Sequence, residues 1–342
     1  MQSRAFITGV SGPKLTAAER EFIRFERPWG FILFKRNIET PQQVALLVQE
    51  LRRCVDVPDA PILIDQEGGR VQRLGPPHWP VYPPGALFGA LYDVDPALGL
   101  SAARLSARLI AADLGDLGIS ADCLPLADVP VAGADAVIGN RAYGTEPEKV
   151  AAIARAVTVG LEQGGILPVL KHIPGHGRAT ADSHFGLPVV NNSKKELERT
   201  DFAAFQPLAD LPMAMTAHVV FSALDPAHPA TTSATIIEQV IRGVIGFQGL
   251  LMSDDVSMNA LAGSIAERTR AIFSAGCDVV LHCNGKLDEM REVAAETPEL
   301  SGKALDRAKR ALASRRAPQP FDRRAARAEL DAMMSRAGTT GA

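Results

Sequence analysis

Residues 167–184 read LPVLKHIPGHGRATADSH. The apolar run LPVLK has the length of a strand and ends in charge, and a polar loop follows without a break. Gly175 and Gly177 open backbone angles that other residues avoid, while Pro174 fixes its own φ and lacks an N–H, so the segment reads as a shaped loop and not as a helix. Residues 171–184 hold three of the chain's seven histidines together with Lys171 and Asp182, a polar density that calls for a chemical explanation.

The same punctuation recurs along the chain. AFIT ends at Thr8, GFILF runs into Lys35 and Arg36, APILID ends at Asp65, ISADC surrounds Asp122, MAMTAH ends at His218, LLMSDD at Asp254 and Asp255, and DVVLH at His282. Between these runs lie helical signals such as the capping box TAAE at 16–19 and the Ala/Leu-rich stretch 96–117. Eight strand-then-helix units predict an α/β chain folded as a single (β/α)8 TIM-type barrel, with the active site at the C-terminal ends of the strands, where the polar residues fall. The alternative is an open doubly wound sheet. No strand is followed by a GxGxxG turn, which counts against its dinucleotide-binding form.

With 46% hydrophobic and 22% charged residues over 342 positions, the composition suits one large globular unit, so residues 1–342 are expected to form a single catalytic domain. From about 285 to 342 the chain becomes Arg/Ala-rich and helical, through SGKALDRAKRALASRRA and FDRRAARAELDAMMSR, and is expected to add accessory helices outside the barrel. Acids interleave with those arginines and the net charge is -3, so no nucleic-acid partner is expected. The opening MQSRAFITGVSG has no long apolar core with a cleavage site, and no stretch approaches the roughly 18 apolar residues of a membrane span, which points to a cytoplasmic protein with no membrane partner. Cys54, Cys123, Cys277 and Cys283 show no CxxC spacing and are expected to be unpaired.

Two further clusters carry chemistry. LLMSDDVSM at 250–258 delivers Asp254 and Asp255 to the barrel mouth, and because adjacent strand residues point opposite ways, only one of them should face a ligand. Both could equally cap the following helix. LIDQEGGRVQRL at 63–74 combines Asp65 with Arg70 and Arg73 around Gly68 and Gly69. A carboxylate that accepts from hydroxyls beside a guanidinium with fixed donors suits a polyhydroxylated ligand, whereas alone the motif would read as a surface ion pair.

Taken together, the motifs ILFKRN at 32–37, IDQEGGRVQRL at 64–74, VIGNRAYG at 137–144, KHIPGHGRATADSH at 171–184, MTAHVVF at 215–221, PATTS at 229–233 and SDDVSM at 253–258 resemble glycoside hydrolase family 3. The resemblance is strongest to its bacterial β-N-acetylglucosaminidase branch and covers most of the chain. It implies a retaining hydrolase in which Asp254 is the nucleophile and His184 the acid/base, with Asp182 as the partner of His184. It also implies that Asp65, Arg73, Arg141, Lys171 and His172 surround a terminal N-acetylglucosamine. The chain departs from the pattern at Ile173, where Phe is common, and at Asn140, where an acid often stands.

The implied acid/base is chemically intelligible. A free imidazole has a pKa of about 6.5 and is mostly unprotonated at neutral pH. A carboxylate on one ring nitrogen favours the imidazolium and leaves the other nitrogen for proton transfer.

The implied substrate is a small-molecule muropeptide, N-acetylglucosamine β-1,4-linked to 1,6-anhydro-N-acetylmuramic acid with or without a peptide, cleaved by a monomer that needs no cofactor and no metal. His176 is expected to shape its loop; His218 is either a pocket wall or a satisfied core residue; and His78, His228 and His282 are expected to be structural. Three alternatives stay open at this point. Phosphorolysis would be revealed by a sugar 1-phosphate product. A zinc site on His172, His176, Asp182 and His184 would be revealed by sensitivity to chelation. A sugar-binding barrel without turnover would give no trapped intermediate.

Overall fold

A computed structural model describes residues 3–179 and 186–337. Its centre is a closed barrel of eight parallel strands: β1 (Arg4–Thr8), β2 (Pro28–Leu33), β3 (Ile62–Ile64), β4 (Ala121–Asp122), β5 (Leu167–Ile173), β6 (Met213–Thr216), β7 (Leu250–Asp255) and β8 (Val279–His282). Each pairs with its neighbours in the chain, and β8 returns to β1, where Thr8 lies opposite His282. These are the eight apolar runs of the sequence, so the barrel expectation holds and the open sheet is excluded.

The helices follow from local chemistry. Thr16 and Glu19 close a reciprocal capping box on the helix Ala17–Glu26, and Ser264 and Glu267 close another on Ile265–Ala275. The 21-residue helix Pro96–Asp116 starts from an Asp95 cap with proline in its first turn, and its small residues pack against Pro147–Gln163: a Cβ at Gly160 would meet the Arg104 carbonyl at 2.2 Å. Among the described residues no helix is long and apolar enough to cross a membrane. The four cysteines are free.

Two apolar layers result. Ile7, Ile32, Leu63, Val169, Met213, Met252 and Leu281 fill the barrel interior, while the outward strand faces join the surrounding helices in a larger core. The tail divides between two places. Ala326 and Leu330 of the last helix, Arg323–Ala337, pack into the outer core. The helix Gly302–Ala313 instead covers the N-terminal mouth: Leu300, Ala308 and Ala311 join the interior cluster, and Arg307 reaches Asp278 just ahead of β8 at 2.8 Å. Its strong apolar stripe leaves it no reason to stand off the barrel. The opposite, C-terminal mouth is thereby the open one.

Directly after β3 the chain folds into a small antiparallel hairpin, Gln66–Gly68 against Val71–Gln72. Gly68 has φ +98°, and a Cβ there would sit 2.3 Å from the Pro83 carbonyl oxygen. Glycine is therefore required for the hairpin to lie over the barrel mouth.

Candidate active site

At the open mouth five charges alternate in sign. The Asp65 carboxylate accepts from Arg73 Nη2 at 2.9 Å and from Lys171 Nζ at 3.0 Å. Lys171, at 1% exposure, also lies 2.6 Å from Glu67 Oε1. Glu67 in turn takes Nε and Nη2 of Arg141 at 2.9 and 2.8 Å, a two-point grip. The order is Arg73, Asp65, Lys171, Glu67, Arg141, gathered from the β3 hairpin, β5 and the short 3-10 turn Gly139–Arg141.

Burial pushes both carboxyls up, but the cations outweigh it: Lys171 and Arg73 hold Asp65 well below the carboxylate range, and Arg141 and Lys171 bring Glu67 down to about 2. Burial likewise disfavours charge on Lys171, and the two carboxylates more than offset it, holding its ammonium above the ordinary value. Asp65, Glu67 and Lys171 therefore carry their charges at neutral pH.

Both adjacent aspartates of β7 border the cavity, contrary to the expectation that one alone would face it, and they differ in their partners. Asp255 turns to the loops, accepting from the Ser257 N–H at 3.0 Å, the Ser257 hydroxyl at 2.6 Å and the Cys283 N–H at 3.1 Å. Asp254 lines the cavity, and among the described residues its carboxylate accepts only the N–H of Asp255, at 2.8 Å. Its carboxyl is pushed up by burial and drawn down further by His218, by His172 and by that N–H, so the net direction is below the ordinary value. A half-buried carboxylate that stays ionised, with one oxygen uncommitted among the described residues, has the makings of a nucleophile.

Two histidines are set by groups behind them. Nδ1 of His172 lies 2.7 Å from Oδ2 of Asp128, whose other oxygen accepts the N–H of His176 at 2.7 Å. His218 is fully buried; its Nε2 donates to the Asp255 carbonyl at 3.0 Å and its Nδ1 lies 2.7 Å from the Thr231 hydroxyl, so it is a satisfied core residue bracing β7. His176 packs edge-on against His172, and burial together with His172 depresses its pKa to about 4. It is a neutral, loop-shaping group at physiological pH.

Asp254, Asp65, Arg73, Arg141, Lys171 and His172 line one cavity of about 270 Å³, near the lower end of ligand-site volumes and suited to a single sugar ring. Asp182 and His184 lie outside the described residues. Among the described residues no group of three potential metal ligands is gathered. Three contributors escaped the sequence reading. Glu67 stands inside the quoted IDQEGGR motif but looks like a turn carboxylate. Asp128 lies six residues beyond the end of β4, and only its partners reveal it. Phe34, on the cavity wall, carries the guanidinium of Arg73 at 5.2 Å from its ring centre and that of Arg36 at 4.9 Å. Conversely, the strand-end residues Thr8, Asp122 and His282 are fully buried and stay off the cavity.

Comparison with known proteins adds a second line. The pattern of the glycosyl hydrolase family 3 N terminal domain matches residues 6–314. A beta-hexosaminidase of Alkalilimnicola ehrlichii is 40% identical over 283 residues, 81% of this chain and 79% of that protein. One of Bordetella avium is 36% identical over 315 residues, 90% and 88% of the two chains. Among solved structures, NagZ from Neisseria gonorrhoeae in complex with N-trifluoroacetyl-D-glucosamine superposes with a TM-score of 0.85 at 31% identity, covering 100% of this chain and 99% of that one.

Proposed function

The chain belongs to glycosyl hydrolase family 3 and is a β-N-acetylhexosaminidase, and from that premise we propose that it is a retaining exo-enzyme that removes terminal N-acetylglucosamine from N-acetylglucosaminyl-1,6-anhydro-N-acetylmuramic acid, with or without peptide, in cytoplasmic peptidoglycan recycling. The observation that carries this reading is the ionised Asp254 carboxylate facing the Arg73–Asp65–Lys171 cluster across a cavity of one-sugar size. The N-acylglucosamine bound to the gonococcal relative supports the amino-sugar choice.

In the proposed reaction Asp65, Arg73, Arg141, Lys171 and His172 hold the ring's hydroxyls and acetamido group. Asp254 attacks the anomeric carbon as His184, charged with help from Asp182, protonates the leaving oxygen, and a covalent glycosyl-enzyme forms. His184 then takes a proton from water as the water displaces Asp254, so the β configuration is kept. Residues 1–342 act as one catalytic domain with accessory helices from about 285 onward, and the enzyme works as a monomer on a small muropeptide, without cofactor or metal.

The test is hydrolysis of an aryl N-acetyl-β-glucosaminide against the matching β-glucoside, with and without phosphate, followed by mass spectrometry after trapping with a 5-fluoro glycosyl analogue. An adduct on the Asp254 peptide with preference for the acetamido sugar is expected. Glucoside preference overturns the substrate, sugar 1-phosphate overturns hydrolysis, and an adduct elsewhere overturns the nucleophile.

A further inference from the structure

Asp122 ends β4 opposite Ile64 of β3, next to the charged cluster's Asp65, and takes no part in the chemistry described so far. It is fully buried, its Oδ1 accepts the N–H of Gln66 at 2.9 Å, and its Oδ2 has no hydrogen-bond partner among the described residues. Gln66, itself fully buried, sits between the two carboxylates of the cluster, Asp65 and Glu67. Its side chain spans the hairpin: Oε1 accepts the N–H groups of Arg73 and Leu74, each at 2.9 Å, and Nε2 donates to the Leu74 carbonyl at 2.9 Å. One continuous path therefore runs from Asp122 through Gln66 to the backbone of Arg73, whose guanidinium grips Asp65.

We propose that Asp122 is a positioning residue for sugar recognition, acting as an uncharged carboxylic acid that anchors Gln66 and, through it, sets Arg73 against Asp65. The inference rests on the reading of Asp65, Arg73 and Lys171 as the sugar clamp. The charges facing Asp122 are Lys171 from β5 and Asp65 and Glu67 from the β3 hairpin. Among the described residues an ionised Asp122 would have no cation of its own, since the Lys171 ammonium is already held between Asp65 and Glu67. Burial and the two neighbouring carboxylates push the acid form well above its usual range, in the same direction as the geometry. A neutral acid there fixes the backbone without drawing Lys171 away from the clamp.

The experiment compares KM and kcat on an aryl N-acetyl-β-glucosaminide for four variants. Asp122→Asn keeps the acceptor and the neutral charge and is expected to stay within about 2-fold of the parent in both constants. Asp122→Ala and the space-filling Asp122→Leu remove the acceptor for Gln66; each is expected to raise KM by about 10-fold, the worth of one hydrogen bond at a buried site, with a smaller change in kcat. Arg73→Gln is the control and is expected to raise KM further.

If Asp122→Asn is as damaged as Asp122→Leu, a charged Asp122 is needed and the proposal fails. It fails too if Asp122→Ala or Asp122→Leu loses only thermal stability while KM stays unchanged. An Arg73→Gln enzyme with unaltered KM overturns the clamp itself and this inference with it, whereas a raised KM in Arg73→Gln alone overturns only the role of Asp122.

Discussion

The buried carboxylate of Asp128 holds His172 by its Nδ1 atom, at 2.7 Å, and so leaves Nε2 as the nitrogen available to the cavity that His172 lines. The same carboxylate accepts the backbone N–H of His176, so one acid fixes both the His172 ring on β5 and the start of the loop that follows the strand. Burial pushes Asp128 up, and His172 and the neighbouring bonds draw it below its ordinary value, so it stays charged.

Asp128→Asn should therefore loosen His172 without emptying the site. We expect KM for an aryl N-acetyl-β-glucosaminide to rise by about 10-fold, the equivalent of one hydrogen bond to a charged group. Calorimetric titration with N-acetylglucosamine checks it: an unchanged affinity would separate His172 from sugar binding.

The proposed division of labour between Asp254 and His184 separates by leaving group. Asp254→Ala should abolish turnover on every substrate, whereas His184→Ala should slow natural disaccharides far more than activated aryl glycosides, because only poor leaving groups need the proton. Equal losses on both substrate types would remove the acid role from His184.

Lys171→Met takes the cation from between two buried carboxylates. Asp65 retains Arg73 and Glu67 retains Arg141, but the two anions then face one another, and a loss of about 3–5 kcal/mol is expected for a broken buried ion pair. Urea unfolding measures it, and the double variant Lys171→Met/Glu67→Gln should recover part of the loss by removing one of the stranded charges.

Stability should fall on mild acidification. His176 has a folded pKa of about 4, below the roughly 6.5 of an unfolded histidine, so between those values the unfolded chain binds more protons and is favoured as pH drops. From pH 7.5 to 5.5 this amounts to about 1 kcal/mol. Asp65, Glu67, Asp128 and Asp254, all held below their ordinary values, add a second loss only when pH falls below the usual carboxyl range. Urea unfolding at the two pH values checks the first phase, which His176→Asn should flatten.

The barrel was legible because each strand of a parallel barrel is buried on both faces and so appears as an unbroken apolar run. The polar residue that ends a run announces the mouth but not its own direction. Lys171 and Asp254 turn into the cavity, while Asp122 and His218, which end their runs in the same manner, turn into the packed wall. Asp128 and Glu67 act through contacts with residues 44 and 74 positions away, His172 and Arg141, and local pattern carries no trace of such pairings. The tail's Arg/Ala bias likewise hid the difference between a helix on the outer wall and one that seals the barrel.

That seal sets an order of events during synthesis. Ala5 pairs with Pro298 and Ser3 with Leu300, and the helix Gly302–Ala313 packs against the apolar floor of the barrel. A nascent chain that has already made all eight strands still presents that floor to water until residue 313 has left the ribosome. Ribosome-bound intermediates of this protein are therefore the forms most in need of a chaperone, and a stop codon placed just after β8 should yield aggregate in place of a shortened enzyme.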